Sequence, residues 1–121
     1  MKYDLEEILI DFSLLGIKLA EGLPKSYTGQ YFAKQLIRSA SSPAFQYAEA
    51  RGAESRKDFI HKLKIGLKEL RETHVCLRLI KKKPLFVGEA IESAISECDQ
   101  LIAILTTSIN TARKNNTKQI S

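Results

Sequence analysis

Asp58 and His61 place a carboxylate and an imidazole three residues apart, a spacing at which two side chains on successive helical turns can share a metal ion. A di-iron bundle needs two such pairs and two further inward-facing glutamates. The sequence offers one pair, on the basic side of its segment, so no metal site is expected. His74 sits at the edge of an apolar stripe and reads as a hydrogen-bonded core histidine. Cys76 and Cys98 lack the short spacing of metal-binding cysteines and read as reduced, core-filling thiols. No P-loop, dinucleotide fingerprint or zincin motif occurs. The expectation is therefore a protein with no catalytic residues and no cofactor.

Two other rows are more extended. Lys57, Lys64, Lys68, Arg71, Arg78 and Lys82 recur at spacings of seven, four, three, seven and four. At roughly 100° per residue they fall within about 80° of helical arc, off the apolar stripe, and His61 joins them. Such a row can track the phosphates of RNA or DNA. It can also be only a solvated lysine-rich face. No aromatic residue interleaves with it, so base stacking is not indicated. The second row is Gln35, Arg38, Ser42, Gln46 and Glu49, stepping by three and four along one side of a helix. With no histidine in that segment it reads as a structural polar network, within a bundle or between subunits. In either setting Arg38 and Glu49 need partners, because an unpaired buried charge is costly.

The elements that carry these rows are all helical. The first is predicted from about Asp4 to Glu21, with Asp4 capping and Glu7 completing a capping box. Leu5, Ile8, Leu9, Phe12, Leu15 and Leu19 form its stripe, and Gly22 with Pro24 stops it. The second runs from about Thr28 to Gly52, with Phe32, Leu36, Ala40, Ala44 and Tyr47 or Ala48 on its apolar side. Pro43 lies inside it and should kink it near Ser39, or break it in two. The third is capped by Ser55, boxed by Asp58 and ended by Pro84, with Phe59, Leu63, Leu67, Leu70, Leu77 and Ile80 facing the core. The fourth spans about Val87 to Ala112, with Ile91, Ala94, Ile95, Cys98, Leu101, Ile102, Leu105 and Ile109 inside. Gly16 and Gly66, each in mid-helix, would be explained by the close approach of a neighbouring helix. Nothing reads as a strand. The expectation is an all-α, antiparallel up-down-up-down four-helix bundle over residues 1–112, followed by a frayed polar tail over 113–121.

Composition agrees with one domain: 121 residues, 44% hydrophobic, with three prolines and six glycines. The longest unbroken apolar run, Leu101 to Leu105, is far short of a membrane span. Acidic residues stand where a secretory signal would want basic ones, so a cytoplasmic location is expected. The net charge of +5 is unevenly spread. Residues 55–83 hold ten Lys or Arg against three Asp or Glu, whereas residues 84–112 hold four acids and no base.

The stretch from Gln35 to Ala50, with Ser55 to Ile60 and then Leu67, Glu69 and Leu70, resembles a bacterial four-helix family. Its members include proteins encoded by intervening sequences within 23S ribosomal RNA genes, the S23 family. The resemblance spans Leu5 to about Leu105. Gln35, Arg38, Ser42 and Glu49 match its diffuse signature, and Gln46 matches by position where asparagine is usual. Ile37, Pro43 and Ala50 also depart from it, which bears on the polar network rather than the fold. The resemblance implies a homopentameric ring of antiparallel bundles. It also implies kinship with the accessory variability protein of diversity-generating retroelements, which has a basic surface and works with a reverse transcriptase and nucleic acid. Two roles follow as expectations: a nucleic-acid-binding protein using the basic row, or a protein-interaction scaffold whose basic face is incidental.

Overall fold

The computed structural model describes residues 4–120, with side chains through Asn115. Four helices follow one another: α1 (Leu5–Glu21), α2 (Tyr27–Arg51), α3 (Arg56–Lys82) and α4 (Glu89–Ile120). Each of the first three begins on a side chain that accepts a backbone N–H otherwise left without a partner. Asp4 accepts from Glu7 N at 3.2 Å, Ser26 from Gly29 N at 3.1 Å and Ser55 from Asp58 N at 3.0 Å. The second of these starts α2 one residue before the expected Thr28.

Consecutive helices pack antiparallel around a square. α1 lies on α2, α2 on α3 and α3 on α4; α1 closes against α4 with the least contact, and among the described residues the diagonal pairs do not pack. The apolar stripes meet at the centre. Leu9, Phe12, Leu36, Leu63, Leu70, Leu77, Ile80, Ile91, Leu101 and Leu105 are fully buried, and each stabilises the fold by about 1.5–3 kcal/mol relative to exposure. Of the alternatives at the end of the α2 stripe, Tyr47 packs against the core and Ala48 is exposed.

Pro43 does not break α2, which is continuous from Tyr27 to Arg51. Leu36, Ala40 and Ala50, buried on both sides of the proline, hold the two halves in one helix. α4 also departs from expectation. It continues past Ala112 to Ile120, into residues read from the sequence as a frayed tail. Arg113, Lys114 and Asn115 are exposed, and Arg and Lys are good helix formers.

Gly16 marks the tightest seam. A Cβ there would lie 2.6 Å from the Cβ of Ala40. Beside it, the Ser13 hydroxyl donates to the carbonyls of Leu9 (2.8 Å) and Ala40 (3.1 Å), so α1 and α2 are also tied by a buried polar bridge. Gly66 is different. A Cβ there meets Gln46 and Leu105 at 3.6 Å and Pro43 at 3.8 Å, which is ordinary contact.

Candidate nucleic-acid interface

The polar row of α2 finds its partners on α3. Arg38 forks across the seam, its two terminal nitrogens donating to Glu69 at 2.9 Å and Glu72 at 2.8 Å. These bonds hold the guanidinium above its usual range, the one to Glu72 most strongly, and hold the Glu72 carboxyl below its own. Glu49 accepts from Lys62 at 2.9 Å, which raises the lysine. Gln35 and Ser42 are half-buried on the same side. Gln46 is half-buried too, and its Oε1 has no hydrogen-bond partner among the described residues. Both charges of the row thus have partners within the chain.

That arrangement shapes the basic row. Lys57, Lys64, Lys68, Arg71, Arg78 and Lys82 are all exposed, as is His61. They lie about 120–200° around α3 from the core-facing Gly66. None of the six forms an ion pair among the described residues, although Lys68 adds to the field that lowers Glu72. The acids in the middle of α3, Glu69 and Glu72, are engaged from α2 by Arg38. The lysines of α3 that do pair, Lys62 with Glu49 and Lys81 with Glu92, belong to the helix flanks. The outward face keeps its positive charge over about 38 Å, the rise from Lys57 to Lys82 at 1.5 Å per residue.

The other candidates fall into structural roles. Asp58 and His61 have no third ligand: among the described residues no cluster of three or more His, Cys, Asp or Glu could hold a metal. His74 Nε2 lies 2.8 Å from Asp99 Oδ1 of α4, close but too poorly aligned for a hydrogen bond. Cys98 donates its thiol to the Leu70 carbonyl at 3.2 Å, and Cys76 approaches the Phe32 carbonyl at 4.0 Å. Burial pushes the Cys76 thiol up to about 11 and the Cys98 thiol up to about 12.

Two apolar surfaces escape the sequence reading. Ile10, Leu14 and Ile17 of α1 and Ala44, Phe45 and Ala48 of α2 line an outward groove of about 370 Å³. Leu14 is 58% and Phe45 68% exposed. The spacing of Ile10, Leu14 and Ile17 was the available signal, a second apolar row beside the core stripe. The other surface comprises Tyr27 and Tyr31 of α2 with Val75 and Leu79 of α3, all exposed. No helix among the described residues is long and apolar enough to cross a membrane.

The fold is thus that of an antiparallel four-helix bundle protein whose helix α3 carries a row of six exposed cations with no ion pair among the described residues. Residues 5–107 match the family of 23S rRNA-intervening sequence proteins, and the chain belongs to that family. It is similar to a protein of unknown function from the S23 ribosomal protein family of Bacteroides thetaiotaomicron VPI-5482. The two share 29% sequence identity with a TM-score of 0.82, over 88% of this chain and 98% of that one. No curated protein matches the chain.

Proposed function

We propose that this member of the family is a non-enzymatic nucleic-acid-binding protein that docks phosphate backbones along the outer face of α3. The observation that carries the reading is the pairing pattern: Arg38 draws Glu69 and Glu72 toward α2, and six exposed cations in one row have no ion-pair partner among the described residues. The titratable groups that are displaced from their ordinary values belong to surface ion pairs and buried thiols, not to a poised acid–base couple. The homopentamer implied by the resemblance belongs to the same proposal. The groove between α1 and α2 gives it an apolar surface to cover, and several α3 rows on one particle raise affinity through effective concentration. Free, buried Cys76 and Cys98 suit a reducing cytoplasm.

The test is charge reversal. Lys64→Glu with Arg71→Glu leaves the far-UV circular dichroism and melting profile unchanged, because both side chains are exposed, and abolishes binding to labelled RNA and DNA in fluorescence anisotropy. Retained binding contradicts the assignment to α3. The same groove favours one competing reading, an interaction scaffold whose partner is a protein with an apolar helix. Under that reading Leu14→Asp with Phe45→Asp abolishes partner capture, and the α3 reversal leaves it intact.

A further inference from the structure

The tyrosine-bearing patch beside the basic row is what the sequence alone could not place. Tyr31, Arg38 and Glu49 are spaced seven and eleven residues apart, which at roughly 100° per residue sets them on one side of α2 within about 20°. Arg38 and Glu49 use that side to reach α3, so Tyr31 stands on the flank facing α3. The approach of Cys76 Sγ to the Phe32 carbonyl fixes the level along the helices. Tyr31 therefore lies beside the C-terminal third of α3, where Arg78 and Lys82 follow Cys76 by about 3 and 9 Å of rise. Tyr27 is one turn further toward that end. Val75 and Leu79, both exposed, occupy the outer surface of α3 between the tyrosines and the cations. Phe32 braces Tyr31 edge-on, with ring centroids 5.2 Å apart and an interplanar angle of 86°. Tyr31 is nevertheless 50% exposed, and Tyr27 is 89% exposed.

An apolar, aromatic strip running alongside a cationic row has the two parts that single strands need: an electrostatic track for the backbone and ring faces for unpaired bases. A duplex has its bases stacked inside and can use the track alone. Resting on the proposed α3 interface, we infer that this end of the bundle takes single-stranded nucleic acid, phosphates on Arg78 and Lys82 and bases against Tyr31 and Tyr27. The helix axes stand about 8–10 Å apart, and Arg78 and Lys82 lie on the outer side of α3, so the strand crosses Val75 and Leu79 between the two contacts. The basic helix carries no ring within its row; the aromatic residues come from α2.

The experiment compares labelled single strands of RNA and DNA with the matched duplexes, using the full chain and the variant Tyr27→Ala with Tyr31→Ala. Both residues are exposed, and a circular dichroism melt checks that the fold is kept. The expected result is tighter binding of single strands than of duplex by the unaltered chain. The alanine variant loses about 10-fold or more for single strands and nothing for duplex, and Tyr27→Phe with Tyr31→Phe restores binding. The RNA and DNA strands together show whether the sugar matters. Duplex preference, or single-strand affinity indifferent to the alanines, overturns the inference and leaves the α3 interface standing. Failure of every probe to bind overturns both.

Discussion

Replacing Gly16 by alanine tests the packing that positions the whole assembly. The added Cβ would sit 2.6 Å from Ala40 Cβ, against an ordinary carbon–carbon contact of about 3.5–4.0 Å. About 1 Å of separation has to be found in a seam already tied by Ser13 to the Ala40 carbonyl. Overpacking of this kind costs about 1–3 kcal/mol, while alanine in place of glycine in mid-helix returns about 1 kcal/mol of propensity. Gly66→Ala is the internal control. It gains the same propensity, and its nearest neighbours are 3.6 Å away. The propensity gain cancels between the two, so Gly16→Ala should be less stable than Gly66→Ala by about 1–3 kcal/mol, roughly 4–15 °C in Tm for a domain of this size. Urea and thermal unfolding at one fixed protein concentration give the comparison, since association would shift both curves. The double variant Gly16→Ala with Ala40→Gly moves the missing methyl to the other helix and should recover the steric loss. Gly16→Ala as stable as Gly66→Ala would refute the close-approach argument.

Further outcomes follow from the same geometry. Arg38→Met removes the fork to Glu69 and Glu72 and lowers stability at neutral pH by about 1 kcal/mol, because Arg38 and Glu72 are about half exposed while Glu69, 15% exposed, loses its partner. The Glu72 carboxyl is depressed in the folded state, so its contribution is present above its ordinary value of 4.5 and lost as pH falls through the folded value. Melts across acid pH should therefore show the two proteins converging below that value, and a constant gap would exclude the fork as the cause. Iodoacetamide at pH 8 should leave folded Cys76 and Cys98 unmodified and alkylate both in denaturant, since burial holds the thiols at about 11 and about 12; mass spectrometry reads the result. Gly88 adopts φ +130°, where a side chain is strained, so Gly88→Ala should lower stability by about 1–3 kcal/mol in urea unfolding without altering nucleic-acid binding.

The fold was largely legible because each helix carries a core-facing apolar stripe and the first three begin on capping side chains. Asp4 and Ser55 announce their helices by side-chain type alone. Residue type alone does not single out Ser26, since Thr28 also belongs to the capping types; the bond to Gly29 N decides. The course through Pro43 depended on burial at Leu36, Ala40 and Ala50, which no local pattern states. The end of α4 was read short because periodicity locates core contact, and Arg113 to Asn115 are helical yet exposed. The basic face of α3 could be drawn from spacing, but its net charge could not. That depends on Arg38 crossing from another helix to engage Glu69 and Glu72. Tyr31 stayed invisible for the same reason: about 45 residues of chain separate it from Cys76, whose level in the bundle it shares.

The central claim is that the outer face of α3 binds phosphates, and the salt dependence of binding tests it most directly. For duplex DNA, log affinity falls with log salt by about 0.9 per phosphate neutralised. Three to six contacts along the row therefore predict a slope of roughly −3 to −5 per protomer. A slope near zero, or no binding to DNA or RNA at about 50 mM salt, would contradict the account.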